Sequence, residues 1–109
     1  MSQQPPHEVF DQELAEKLIG KRLLVGVTHR NKEGAMVRRS QILGRVTVAD
    51  RIRGICIRHE HSGEETWFPP DTRGIESARR GEYKNRSTGE IVIDPDYLAR
   101  WVVSSGQPE

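Results

Sequence analysis

The sequence predicts a mainly β domain: a small, bent antiparallel barrel or sheet of SH3-like or Sm-like character, preceded by one amphipathic helix. Three observations lead there. From Leu23 onward apolar residues recur at every second position, the period of a strand. Clusters of Gly, Asn, Asp, Ser and Pro separate these runs at short intervals, as turns do. No long helical pattern alternates with the runs, so βαβ architectures do not fit.

Residues 1–7 are polar and contain Pro5-Pro6, and a disordered tail is expected over 1–9. Phe10, Leu14 and Leu18 then recur at helical spacing. Asp11 suits the N-cap of this helix and Gly20 the position just past its end, so a helix is expected over about residues 11–19. Leu23, Val25 and Val27 begin the first strand, and Asn31 to Gly34 turn the chain. A long second strand follows, from about Met36 to Val48. Val37 and Leu43 lie on one count of its period, Val46 and Val48 on the other. A bulge or bend at Gly44 would re-phase it and turn a sheet into a barrel.

After a turn at Asp50 to Gly54, Ile55 and Ile57 mark a third strand, and Thr66 to Phe68 a fourth that Pro69-Pro70-Asp71 ends. Glu82 to Arg86 and Glu90 to Ile93 read as a hairpin around Ser87-Thr88-Gly89. Asp94-Pro95 looks like the start of a helical turn with Tyr97, Leu98 and Trp101 on its apolar side. The domain is thus expected over 10–103, with 104–109 frayed.

Length and composition narrow the function. The chain has 109 residues, 34% hydrophobic and 30% charged, which fits one domain with a small core. No apolar run is long enough to span a membrane, and the first residues lack a secretory pattern, so a cytoplasmic protein is expected. Cys56, the single cysteine, excludes an internal disulfide and a Cys-rich zinc site. It reads as a small half-buried apolar residue. The overall charge of +1 hides an asymmetry: residues 21–60 carry ten Lys/Arg against Glu33, Asp50 and Glu60, a net of +7, and the segments on either side are each −3.

Several segments carry a resemblance: Gly44-Arg45-Val46, Gly54-Ile55, Phe68-Pro69-Pro70-Asp71, Gly81-Glu82-Tyr83, Arg86-Ser87-Thr88-Gly89-Glu90, Asp94-Pro95-Asp96-Tyr97-Leu98 and Trp101. With these the chain, over about Ile19 to Val103, resembles a family of small uncharacterised bacterial proteins. Pro-Pro-Asp and Arg-Ser-Thr-Gly-Glu are the more specific pieces. The resemblance implies a small β domain of bacterial type. It implies no catalytic or binding residue. Arg51 and Arg53 make this chain more basic than the family pattern.

The candidate binding residues are Arg38, Arg39, Arg45, Arg51, Arg53 and Arg58, on two neighbouring strands and their turn. Together they would form one basic patch able to contact phosphates. Against this, no aromatic residue lies between Phe10 and Trp67, whereas single-strand binders interleave bases with rings. The acidic helix and Glu64-Glu65 would also neutralise the patch if they folded over it, leaving a solvated face of surface ion pairs. The aromatics Trp67, Phe68, Tyr83, Tyr97 and Trp101 are assigned to the core rather than to a ligand groove. His59 and His61, two apart on a strand, face the same way and could share a metal ion with Glu64, Glu65 or His29. A site needs three or four converging ligands, so no metal and no cofactor is expected. No nucleophile–base set or phosphate-loop motif occurs. The expected function is a non-enzymatic binding module contacting nucleic acid or a protein partner. The alternatives are a homodimeric structural or interaction protein, pairing through the Met36–Gln41 edge or the helix, and a metal-dependent hydrolase using His59 and His61.

Overall fold

The computed structural model describes residues 9–104. The expected tails fall outside these residues except at their inner ends. The Val9 carbonyl accepts the Thr72 N–H (2.9 Å), and Ser104 pairs with Arg30, so both belong to the fold.

Helix α1 (Gln12–Leu18) starts where the Asp11 carboxylate accepts the Leu14 N–H (3.1 Å). It stops before Gly20, whose φ of +81° is left-handed. Its apolar side buries Ala15 and Leu18. Four strands then form an antiparallel meander: β1 (Arg22–Arg30), β2 (Met36–Asp50), β3 (Gly54–His59) and β4 (Glu65–Phe68). A short β5 (Ile75–Ser77) follows, a strand that the sequence pattern does not predict. The expected hairpin forms as β6 (Glu82–Lys84) and β7 (Ile91–Ile93), a separate two-stranded sheet.

The C-terminal helical turn is not formed. Residues Tyr97–Ser104 are strand β8, parallel to β1 and antiparallel to β5. Tyr97, Ala99, Trp101 and Val103 all pack on the main core, a period of two that outweighs the helix-start signal of Asp94-Pro95. Asp94 instead has φ +48° and accepts the Gly81 N–H through its carboxylate (2.7 Å). Parallel pairing is set at the entry to both strands. The Arg22 N–H donates to the Asp96 carboxylate (2.8 Å), and the Asp96 N–H donates to the Arg22 carbonyl (2.9 Å). The main sheet, in order β4-β3-β2-β1-β8-β5, is therefore mixed rather than antiparallel. It does not close into a barrel; β4 and β5 are its two edges.

Both faces of this sheet carry an apolar core. One face carries Leu23, Val25, Val27, Val46, Ile55, Ile57, Phe68, Ile75, Ala99 and Trp101, with Leu18 of α1 upon them. Phe68 and Trp101 stack at 4.4 Å, and the Trp101 indole N–H donates to the Asp71 carbonyl (3.0 Å). Pro69-Pro70-Asp71 thus ends β4 and also seats the tryptophan. The other face carries Leu24 and Leu43, capped by Val92 of the small hairpin with Tyr83 and Leu98 against them.

This second core explains the phase change in β2 differently from a bulge at Gly44. Leu43 points to the hairpin side and Val46 to the helix side, so a regular strand buries both. The bulge lies later, between Val46 and Val48, where Thr47 is skipped. It returns Ala49 to the helix side, opposite Ile55. Trp67 departs from the core assignment and is exposed on edge strand β4. Cys56 is fully buried rather than half-buried.

Gly44 is required for close approach. An added Cβ would lie 2.2 Å from the Arg58 carbonyl oxygen and 2.7 Å from Ile57 Cγ2. Gly44→Val is expected to destabilise by about 1–3 kcal/mol, measured by chemical denaturation. Gly44→Ala should already lose part of this, because the clash is with backbone at the first carbon.

Candidate anion-binding cleft

The small hairpin crosses the second face of the sheet and divides it. Along that face β1 presents Arg22, Leu24, Gly26 and Thr28 at alternate positions. The hairpin lies over Leu24. The Arg22 end and the Gly26–Thr28 end remain on either side of it, and they differ electrostatically.

At the Arg22 end the arginines Arg22, Arg45 and Arg58 each have a partner. The Arg22 guanidinium pairs with Glu60 (2.8 Å) and donates to the Ile93 carbonyl (2.8 Å). Arg45, directly opposite Arg58 across β2 and β3, donates to the Gly20 carbonyl (2.9 Å). Arg58 pairs with Glu65 (3.1 Å). Glu60 and Glu65 offset the charges of Arg22 and Arg58; the acidic helix lies on the opposite face and does not cover this end.

At the other end a cleft of about 640 Å³ opens between the hairpin and the strands β1, β2, β8 and β5. Its floor is Gly26 with Thr28, and its walls carry Arg39 from β2, Lys84 from β6, Arg86 from the β6–β7 turn and Arg100 from β8. All four cationic residues are exposed. Among the described residues none of the four side chains has an ion-pair or hydrogen-bond partner. Glu76 is the one carboxylate in the lining, and the lining holds no histidine or cysteine. The cleft therefore has a net charge of +3 inside a concavity, where low-dielectric walls concentrate the field.

The Arg-Ser-Thr-Gly-Glu segment builds the far wall. Buried Asn85 accepts the Ser87 N–H through its side chain (3.0 Å) and the Gly89 N–H through its carbonyl (2.7 Å). The Ser87 hydroxyl accepts the Gln41 N–H (2.7 Å), and the Arg86 N–H donates back to the Gln41 side chain. This reciprocal latch fixes the turn against the free half of β2 and holds Arg86 beside Arg39. It also occupies part of the Met36–Gln41 edge proposed for pairing.

Of the six arginines expected to form a patch, only Arg39 lies in the cleft. Arg38 is on the opposite face, 3.4 Å from His29 Nε2. Arg51 stands over the Phe10 ring at 5.1 Å, and Arg53 pairs with Asp50 (3.8 Å), both in the β2–β3 turn. Lys84, Arg86 and Arg100 do not stand out in the sequence because their segments belong to the acidic C-terminal half. The signal was present at Arg100, which alternates with Ala99 and Trp101. The candidate metal pair also diverges. His59 shares a hydrogen bond with Thr66 Oγ1 (2.8 Å) and His61 one with Glu90 (2.8 Å). Among the described residues no three His, Cys, Asp or Glu side chains gather as metal ligands.

No protein-family model, no curated protein and no solved structure matches the chain.

The pairing beyond the hairpin gives stability a pH dependence. The Arg22 guanidinium holds the Glu60 carboxyl below its ordinary value of 4.5. A lowered carboxyl stabilises the fold fully above that value, and the contribution is lost as pH falls through the folded value. Glu60→Gln is expected to be less stable than the wild type at neutral pH, with the difference shrinking below about pH 4. Thermal melts across the acid range measure it.

Proposed function

We propose that the protein is a non-enzymatic binding module that takes a nucleic acid, as a single strand, into the cleft beside the small hairpin. The observation that carries this reading is the gathering of Arg39, Lys84, Arg86 and Arg100 without partners, while Arg22, Arg45 and Arg58 on the same face are engaged by carboxylates or a backbone carbonyl. Unpaired cations around a concavity attract a chain of negative charges, and release of its counterions supplies most of the affinity. The cleft is of ligand-pocket size, which suits one or two nucleotides rather than a duplex. Tyr83, half-buried in the wall, offers a ring near the charges.

The finer assignments belong to the same proposal. A long β2 shared by β1 and β3 supports an SH3-like or Sm-like character, a type that works through its surface. The resemblance to small bacterial proteins supports a bacterial setting, and the lack of a secretory pattern in the first residues a cytoplasmic one. No helix among the described residues is long and apolar enough to cross a membrane.

Gel-shift or anisotropy titration with single-stranded RNA and DNA tests the reading. Binding is expected at low salt, falling linearly on a log–log plot against salt with a slope near that of about three phosphate contacts. The double variant Arg39→Glu/Arg86→Glu should abolish it with little change in melting temperature. Arg58→Glu, which loses only a surface pair, should bind like the wild type. No binding by the wild type at low salt removes the proposal.

A further inference from the structure

Gly26 has no structural need to be glycine. It lies inside β1, a strand paired on both sides, where glycine weakens a sheet. Its φ is not left-handed, unlike those of Gly20, Gly34 or Gly54. An added Cβ would meet only Arg100 Cγ at 3.7 Å and the Ala99 carbonyl oxygen at 3.9 Å, both ordinary contacts. Gly44 and Gly74 differ, since backbone lies within 2.4 Å of their missing carbons. What glycine does at position 26 is leave a recess in the cleft floor.

We infer that this recess seats a phosphate group directly over Gly26, which deepens, and rests on, the reading of the cleft as a nucleic-acid site. The register fixes the surroundings. Gly26 is level with Gln41 on β2 and with Arg100 on β8, and Thr28, the next residue on that face, is level with Arg39. Arg39 and Arg100 therefore flank the recess from opposite sides, about two strand spacings apart. Lys84 and Arg86 face it from the hairpin wall. The Thr28 hydroxyl adds a neutral donor on the floor.

The geometry selects a phosphate over a carboxylate. A carboxylate presents one planar edge, which a single guanidinium fork satisfies. A tetrahedral phosphate has oxygens pointing in several directions, and here cations arrive from two strands and from the opposite wall. Any side chain at position 26 would stand between Arg39 and Arg100 and hold the anion away from both. The phosphate comes either from the phosphodiester backbone of a nucleic acid or from a small phosphate monoester, and the two sources are separable.

The test uses the full chain and three probes: a single-stranded oligonucleotide of about ten nucleotides, a nucleoside 5′-monophosphate, and the same nucleoside without phosphate. The monophosphate should shift the amide resonances of Gly26, Thr28 and Ser87, and the nucleoside should not. Gly26→Leu should weaken oligonucleotide binding about tenfold, with the melting temperature not lowered. Gly26→Ala adds a methyl that the fold accommodates, keeps the test valid if the leucine variant unfolds, and should weaken binding about threefold. If Gly26→Ala and a folded Gly26→Leu bind the oligonucleotide as tightly as the wild type while Arg39→Glu/Arg86→Glu does not, the seat over Gly26 is refuted and the nucleic-acid reading stands. Amide shifts with the monophosphate but no oligonucleotide binding keep the phosphate seat and refute the nucleic acid. A wild type silent to every probe refutes both.

Discussion

The architecture depends on a sheet that is apolar on both faces. Leu24, Leu43 and Leu98 stand level with one another on the face away from α1, on the neighbouring strands β1, β2 and β8. Left in water they would cost about 1.5–3 kcal/mol each relative to burial. Val92 and Tyr83 cover them, and this fixes where the small hairpin lies. The path of the chain follows from it. The polypeptide must leave β5, cross the sheet as β6 and β7, and re-enter beside β1, which makes β8 parallel to its neighbour. The cleft is a by-product of the same contact. The hairpin covers the leucines and ends at Ser87, latched to Gln41, so the sheet beyond lies open beneath a wall.

The hairpin also sorts charge. On its one side, arginines are held by Glu60, Glu65 and backbone carbonyls, and they tie loops together. Arg22 alone joins β1 to Glu60 and to the Ile93 carbonyl at the end of β7. On its other side the cations have no such work within the described residues. Exposed pairs contribute little to stability, so the contrast bears on what the surfaces can attract rather than on what holds them.

Features written in short stretches of chain were legible before the structure. Asp11 and Gly20 bracket the helix because capping is settled within one turn. The Asn31–Gly34 and Arg86–Glu90 turns formed where their glycines and side-chain acceptors placed them. Long-range features were not legible. Leu43 looked out of phase because a second core, supplied by Val92 nearly fifty residues later, cannot be seen in β2 itself. The cleft draws Arg39, Lys84, Arg86 and Arg100 from four elements, and neither charge nor spacing along the chain marks them as neighbours. The six arginines of the basic segment were close in sequence, and alternation, a turn and a bulge sent them to different places.

The parallel pairing of β1 with β8 leads to an expected order of events during folding. The meander from β1 to β4 closes by short turns, but the slot between β1 and β5 stays empty until residues 97–104 arrive. The contact that starts this pairing, between Arg22 and Asp96, spans 74 positions, and closing so long a loop is costly in chain entropy before any contact repays it. Until then β1 has a bare edge and Val25, Val27 and Ile75 lack Ala99 and Trp101 across from them. A nascent chain waiting in this state would present an unpaired hydrophobic strand, the form most prone to stick to its own kind. Loop closure makes this one insertion the step expected to be slow, and the interval before it the one expected to be vulnerable.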